Sequence, residues 1–369
     1  MMRVLITGAN GFVGKNVSVR LTEREDVEVV SFTRDHAIEE LPKLIKDVNF
    51  IFHLAGVNRP DNDNEFKLGN TDLTTALCVA IEASGRTIPV IYSSSIQAEL
   101  GNPYGESKLA AEQALLDFSE RAGNPVYISR LPNVFGKWCK PNYNSAVATF
   151  CYNIAHDLPV QINDPSAVIR LVYVDDVVNR FISIMEGAIT KEAYCDVDPI
   201  YEITVGDLVE KINTFKLSRE NLITERVGTG LDRALHSTYL SYLPPADFSY
   251  ALTKHGDERG VFVEMLKTKD SGQFSYFTAH PGITRGGHYH HTKTEKFLVI
   301  KGEALFKFRN IISDEFYELK TSGDNPTVVE TVPGWTHDIT NIGCDEMLVM
   351  LWANEIFDRD FPDTYAKPL

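Results

Sequence analysis

Residues 3–14 read RVLITGANGFVG, and this stretch decides the fold of the first half of the chain. The β-branched run ending at Thr7 reads as a buried strand, and the pattern from Phe12 onward reads as a helix. Between them Gly8, Gly11 and Gly14 fall at G-x-x-G-x-x-G spacing. Glycines at such a junction let the backbone turn tightly and approach a pyrophosphate, whose charge then meets the helix N-terminus. An ordinary glycine-rich turn is the bland alternative, and the position inside a strand–turn–helix unit argues against it. Phe12 and Val13 join the three glycines as candidate cofactor contacts.

Outward from this unit the same rhythm continues to about residue 185, with VEVVSF, NFIFHLAG, PVIYSSS and PVYISRL each followed by helical periodicity. That alternation is the signature of a parallel, doubly wound α/β sheet. Beyond about Asp247 it gives way to short strands separated by Gly, Pro, Asn and Asp, as in SYFTAHPG, EKFLVIKGEALFKF, TVVETVPG and EMLVMLWANEIF, which suggests a β-sandwich or small barrel. The segment STYLSYLPPADFSYALTKHGDERG, with Pro244 and Pro245 adjacent, is the expected linker. Domains are therefore expected over 1–246 and 247–369, in keeping with a length of 369 residues.

A formal net charge of −15 argues against a nucleic-acid or anionic-membrane partner, so local basic residues must hold any anionic substrate. The five cysteines are scattered and never in C-x-x-C spacing, which indicates neither a disulfide framework nor a cysteine zinc site. The opening MMRVLITGANG enters a strand at once, and no run of 18 apolar residues follows. A cytoplasmic protein is expected.

Two further groups carry chemistry. About twenty residues past Gly14, where an NAD enzyme carries an acid, the chain reads VVSFTRD. A guanidinium at Arg34 suits the 2′-phosphate of NADP(H), while Asp35 keeps NAD open. Downstream, PVIYSSS and NPYGESK supply Ser93, Ser94 and Ser95, then Tyr104 and Lys108 at Tyr-x-x-x-Lys spacing. On a helix Tyr104 and Lys108 share a face one turn apart, so the ammonium can lower the phenol pKa and Tyr104 can donate a proton as hydride arrives at a carbonyl. Tyr289 and Lys293 repeat the spacing without a cofactor turn before them.

TGANGFVG, the HLAG segment with Leu54 and Ala55, Asn70, the serine strand, YGESK, RLPNVFG and RLVYVDDV together resemble the extended short-chain dehydrogenase/reductase family, over about residues 3–190. The resemblance implies a Rossmann-type fold and nucleotide-sugar chemistry, with Leu54, Ala55, Tyr104 and Lys108 beside the cofactor. It aligns Ser95 with the catalytic Ser/Thr, with Ser94 as the alternative, and Asn133 and Arg170 with substrate-facing positions. Only nine positions separate Ser95 from Tyr104, fewer than in most relatives.

In the second half Gly282, His288, His290, Glu295 and Gly302 fall at G-x5-H-x-H-x4-E-x6-G, and VPGWTHDITN adds His337. Histidines two apart on a strand share a face, so these four ligands offer three nitrogens and one carboxylate oxygen to a divalent metal, zinc first, with manganese, iron or nickel as alternatives. The motifs resemble the cupin superfamily, an all-β double-stranded β-helix or jelly-roll barrel, over about residues 247–369. DERGVFVE, GITRGGHYH and KFLVIKGEA are similar to sugar 3,5-epimerases acting on nucleotide-linked 4-keto-6-deoxyhexoses. The tyrosine that those enzymes use as acid has no counterpart in LVMLWANEIF, which leaves Lys296 or Tyr289 as candidate proton carriers. The pairing is similar to bifunctional enzymes of capsule and O-antigen synthesis. It implies 3-epimerisation of a UDP-linked 4-keto-6-deoxy-hexosamine, UDP-2-acetamido-2,6-dideoxy-4-hexulose, followed by NADPH-dependent reduction of the 4-ketone. Alternatives are a non-catalytic sugar-binding or dimerising cupin and a 4-epimerase with bound NAD. Cupins pair through their sheets, so a homodimer is the family expectation.

Overall fold

The computed structural model describes residues 1–60, 62–188, 193–253, 255–257, 260–262, 266–268, 272–355 and 360–369. Glu258, Arg259, Val263 and Glu264 of the DERGVFVE motif, and Ile356 and Phe357 of LVMLWANEIF, lie outside the described residues. The chain divides into two compact units, Met1–Ser145 with Ile169–Ile203, and Ala146–Val168 with Thr204–Leu369. Division by compactness thus groups several helices before residue 246 with the C-terminal strands, whereas the boundary expected from composition follows the change in sequence pattern.

In the first unit β1 (Met2–Thr7), β2 (Val27–Phe32), β3 (Phe50–His53), β4 (Val90–Ser95) and β5 (Val126–Leu131) form a parallel sheet in the order β2-β1-β3-β4-β5. All five were legible as apolar runs. The order reverses at β1, and in such sheets the crevice beyond the carboxyl ends at the reversal is where ligands bind. Leu5, Ile51, Val90 and Ile128 of the sheet pack with Leu77, Ile81, Leu115 and Phe118 from α2 (Leu73–Ala83) and α3 (Pro103–Ala122), all buried. Sequence fixes the ends of α3: the Asn102 side chain accepts the Gly105 N–H at 2.8 Å, Pro103 opens the helix, and Gly123 closes it at φ 70°.

In the second unit α4 (Val205–Asn221) and α5 (Gly230–Leu240) accompany two antiparallel five-stranded sheets. One contains β6 (Ser249–Ala251), β7 (Gln273–Ala279), β9 (Glu295–Lys301), β12 (Thr327–Glu330) and β14 (Met347–Ala353), in the order β6-β12-β9-β14-β7. The other contains β8 (Thr284–Tyr289), β10 (Glu303–Asn310), β11 (Phe316–Ser322), β13 (Trp335–Asn341) and β15 (Tyr365–Ala366), in the order β11-β10-β13-β8-β15. This is the all-β cupin-like barrel expected from the sequence.

The start of the expected linker is helical, because Ser237 and Thr238 close α5 with their hydroxyls bonded to the Thr292 and Ala234 carbonyls. Small buried polar residues hid that helical period. After Pro244 and Pro245, Phe248 is fully buried with its ring edge-on to Phe308, Trp335 and Tyr317.

Candidate active site and metal centre

At the carboxyl ends of the first unit's sheet lies a cleft of about 1010 Å³, lined by Gly8, Gly11, Phe12, Val13, Gly14, Arg34, Leu54, Ala55, Ser94, Ser95, Tyr104, Lys108 and Asn133 among others. Its size is at the upper end for small-molecule sites. Two glycines are required by space. Gly8 holds φ +71°, and a Cβ there would lie 2.7 Å from the Ala55 backbone; a Cβ on Gly14 would lie 2.1 Å from the Gly8 carbonyl oxygen. The helix they lead into, α1 (Phe12–Thr22), has no side-chain cap and no acid in its first turn, so its leading N–H groups and dipole face the cleft unneutralised. Arg34 is exposed and makes no hydrogen bond or ion pair with the described residues, while Asp35 accepts the Thr33 hydroxyl at 3.3 Å. A tight backbone cradle, an uncapped helix start and a free guanidinium fit a nicotinamide dinucleotide.

Beside this cradle the structure brings Ser95, Tyr104 and Lys108 together. The Ser95 hydroxyl lies close enough to the Tyr104 phenol to favour its ionised form, and Lys108 Nζ donates to the Ser93 carbonyl at 2.9 Å while lying 4.8 Å from the centre of the Tyr92 ring. Ser94, the alternative to Ser95, turns away and donates to Glu112 Oε1. Burial pushes the Tyr104 phenol up, with the Ser95 hydroxyl opposing it, and burial pushes the Lys108 ammonium down to about 8, with the Glu112 charge opposing. The expected lowering of the phenol by Lys108 is therefore not found. The ammonium is spent on the Ser93 carbonyl, and desolvation dominates both groups.

Of the two substrate-facing candidates, Asn133 lines the cleft and donates to the Arg170 carbonyl at 3.1 Å. Arg170 is not among the lining residues and pairs with Glu202 at 3.5 Å.

A second layer fixes this array. The Thr74 hydroxyl donates to the Asn70 carbonyl, so it accepts from His53 Nε2, and His53 Nδ1 accepts from Thr7. Burial, then the Lys108 charge, holds His53 down to about 3, so the ring is a neutral spacer between β1 and α2. Fully buried Glu112 accepts from Arg130, Ser94 and the Tyr194 hydroxyl.

In the barrel His288, His290, Glu295 and His337 converge, with one ligand atom of each within 4.8 Å of the others. They come from β8, the loop after it, the start of β9, and β13. His290 Nδ1 bonds the Asp363 carbonyl at 2.6 Å, and a carbonyl can only accept. His290 Nε2 lies 3.0 Å from Glu295 Oε2. His337 is buried with neither ring nitrogen hydrogen-bonded among the described residues, since Nε2 approaches Glu295 no closer than 3.5 Å. Burial, then His337 and His290, pushes His288 down to about 4, which keeps the ring neutral. A histidine nitrogen turned to a buried carboxylate, an orphaned buried imidazole and a neutral histidine form a donor set that fits a divalent cation.

The two expected proton carriers are not at this cluster. Strand alternation sends Lys296 to the face opposite Glu295, where it donates to Tyr250 at 2.9 Å and to Glu330 at 2.5 Å. Tyr289 likewise lies between His288 and His290 but faces away, its ring 5.6 Å from those of His291 and Tyr365.

Residues 4–195 match the NAD dependent epimerase/dehydratase family, and residues 255–365 match the polysaccharide biosynthesis C-terminal domain. Along 99% of the chain and 98% of the relative, it is 63% identical to a Pseudomonas aeruginosa protein named UDP-2-acetamido-2,6-beta-L-arabino-hexul-4-ose reductase. The chain belongs to the NAD dependent epimerase/dehydratase family. It has the CapF-like arrangement within that family: the crystal structure of the capsular polysaccharide assembling protein CapF from Staphylococcus aureus shares 45% identity over 100% of both chains, with a TM-score of 0.69. The C-terminal portion is also similar to the Bacillus subtilis spore coat polysaccharide biosynthesis protein SpsL, 25% identical over 32% of this chain and 84% of that one.

For this epimerase/dehydratase member, two site residues escaped the sequence reading. Glu112 stands one turn beyond Lys108 on the same helix face, a signal that i, i+4 spacing carries. Asp363 meets the histidine loop only through the folding of the barrel. Among the described residues no helix is long and apolar enough to cross a membrane.

Proposed function

We propose that the first unit reduces the 4-ketone of a UDP-linked 2-acetamido-2,6-dideoxy-hexulose with NADPH, and that the barrel first epimerises carbon 3 of the same sugar with the help of a bound divalent metal, zinc foremost. The observation that carries the reductase reading is the Ser95–Tyr104–Lys108 array beside the glycine cradle. The name of the 63% identical relative supports the substrate class, and the unpaired Arg34 supports NADPH over NADH.

When bound, NADPH supplies the hydride that a carbonyl carbon accepts. Tyr104, its phenol kept protonated by burial, donates a proton to the carbonyl oxygen, and Ser95 holds that oxygen by a hydrogen bond beside Tyr104. The Lys108 ammonium, fixed on the Ser93 carbonyl, supplies a positive charge beside the array as negative charge develops on the reacting oxygen. In the barrel a metal, when bound, supplies Lewis-acid polarisation of the ketone, which acidifies the neighbouring C–H. His288, His290, Glu295 and His337 would hold it.

The orientation of Tyr289 and Lys296 away from the His288, His290, Glu295 and His337 cluster favours a second reading, in which the barrel binds sugar without chemistry. Incubation of the 4-keto sugar in D2O without NADPH separates the two. The first reading expects deuterium at carbon 3, lost in metal-stripped His290→Ala; no incorporation by the wild type overturns it.

A further inference from the structure

The C-terminal segment 360–369 closes over the ligand-bearing side of the barrel. Within it β15 pairs with β8 at His288 and Tyr289, and the Lys367 N–H donates to the Gly287 carbonyl at 2.8 Å. Lys293 Nζ reaches back to the Pro362 carbonyl at 3.0 Å and the Thr364 hydroxyl at 2.7 Å. At the centre of these contacts stands Asp363. Its carboxylate accepts the backbone N–H groups of His291 at 3.0 Å, Thr292 at 2.8 Å and Lys293 at 2.8 Å, and the Thr292 hydroxyl at 2.9 Å. Its carbonyl accepts a hydrogen bond from His290 Nδ1. Asp363 holds φ 38°, a left-handed conformation that aspartate tolerates better than bulkier residues and that turns carbonyl and carboxylate toward the same loop.

We infer that Asp363 is the positioning residue of the metal centre. Resting on the metal reading above, this gives the 290–295 loop its shape before any ion arrives. Three N–H bonds to one carboxylate fix the turn between His290 and Glu295, and the carbonyl fixes the tautomer and plane of His290, leaving Nε2 as the donor atom. Outer partners of this kind orient ligands and raise their basicity. Without the carboxylate, three N–H groups of a buried loop lose their acceptor, and the two ligands it carries are free to separate.

The test is zinc affinity, measured by competition with a chromophoric chelator on the full-length protein, together with the visible spectrum of the cobalt-loaded form. Four proteins are compared, each shown to be folded by circular dichroism: wild type, Asp363→Ala, Asp363→Asn and, as a control for general loss of stability, the remote core variant Val349→Ala. Asp363→Ala is expected to weaken zinc binding roughly 10- to 100-fold and to alter the cobalt spectrum. Asp363→Asn, which keeps the size and one acceptor oxygen, shifts both in the same direction by less and serves alone where Asp363→Ala does not fold. Val349→Ala leaves both unchanged. Wild-type affinity and spectrum in the Asp363 variants overturn the inference, as does an equal loss in Val349→Ala. A wild-type protein that takes up no metal overturns the metal reading itself, an outcome distinct from the other two.

Discussion

Replacing Glu112 by Gln tests whether the charge beneath the active site keeps Lys108 protonated. Lys108 is 5% exposed, and burial brings its ammonium down to about 8 even with the Glu112 carboxylate opposing. A cationic group with a lowered pKa is charged below that value and neutral above it, so a reaction that needs the ammonium runs at low pH and fails as pH rises. With a midpoint of about 8, the charged fraction falls from roughly nine-tenths at pH 7 to one-tenth at pH 9, and kcat/KM for the keto sugar should fall about tenfold over that interval. In Glu112→Gln the charge that opposes burial at Lys108 is gone, so the falling limb moves to lower pH. Arg130 retains Glu99 at 2.8 Å as a partner, which leaves the fold a supporting ion pair. NADPH oxidation followed at 340 nm, a generic wavelength for this cofactor, from about pH 6 to 10 gives both profiles. A wild-type profile flat across that range, or a limb unmoved in Glu112→Gln, refutes the reasoning.

Ser95→Ala should lower kcat about 100-fold or more by removing a bond to the reacting oxygen, whereas Ser94→Ala, measured alongside, should act chiefly on thermal stability. Arg34→Ala should raise KM for NADPH roughly 10- to 100-fold, corresponding to a charge-assisted hydrogen bond of about 1.5–3 kcal/mol, while leaving NADH nearly unaffected in the same steady-state assay. Glu330 is pushed up by burial, but Lys296 and Arg219 outweigh that and hold it at about 2, so its contribution to stability is present above its ordinary 4.5 and lost as pH falls toward 2. The size follows from the shift, roughly 3 kcal/mol. Glu330→Gln leaves Lys296 buried without a counter-charge and should cost about 3–5 kcal/mol in urea unfolding at neutral pH, and a loss below about 1 kcal/mol would contradict the pairing.

Much of this architecture was legible in residue order. The five parallel strands were readable because buried strands are continuous apolar runs, and the glycines of 8–14 because close backbone approach tolerates no Cβ. The His288, His290, Glu295 and His337 cluster was readable as a candidate metal site because strand alternation puts His288 and His290 on one face. The same alternation, applied to their neighbours, excludes Tyr289 and Lys296 from that face, a step that required knowing where β8 and β9 begin. β11, FYELKTS, was missed because its charged residues alternate on a solvent face and leave no apolar run. Asp363 was not readable, since its partners lie some seventy positions earlier and only barrel closure brings them together. The Tyr104 environment went the other way from the spacing argument because spacing sets neighbours, whereas burial sets the larger share of the shift.

The central claim is that Tyr104 delivers the proton in a reduction at carbon 4. The most direct measurement is single-turnover reaction of the 4-keto UDP-sugar with NADPH deuterated at the transferable position, the product read by mass spectrometry and NMR, in wild type and Tyr104→Phe. The wild type should place deuterium at carbon 4 of a 4-hydroxy sugar, and Tyr104→Phe should slow that step by about 100- to 10,000-fold with NADPH binding preserved. Unchanged transfer in Tyr104→Phe, or a wild-type product with no deuterium at carbon 4, would contradict it.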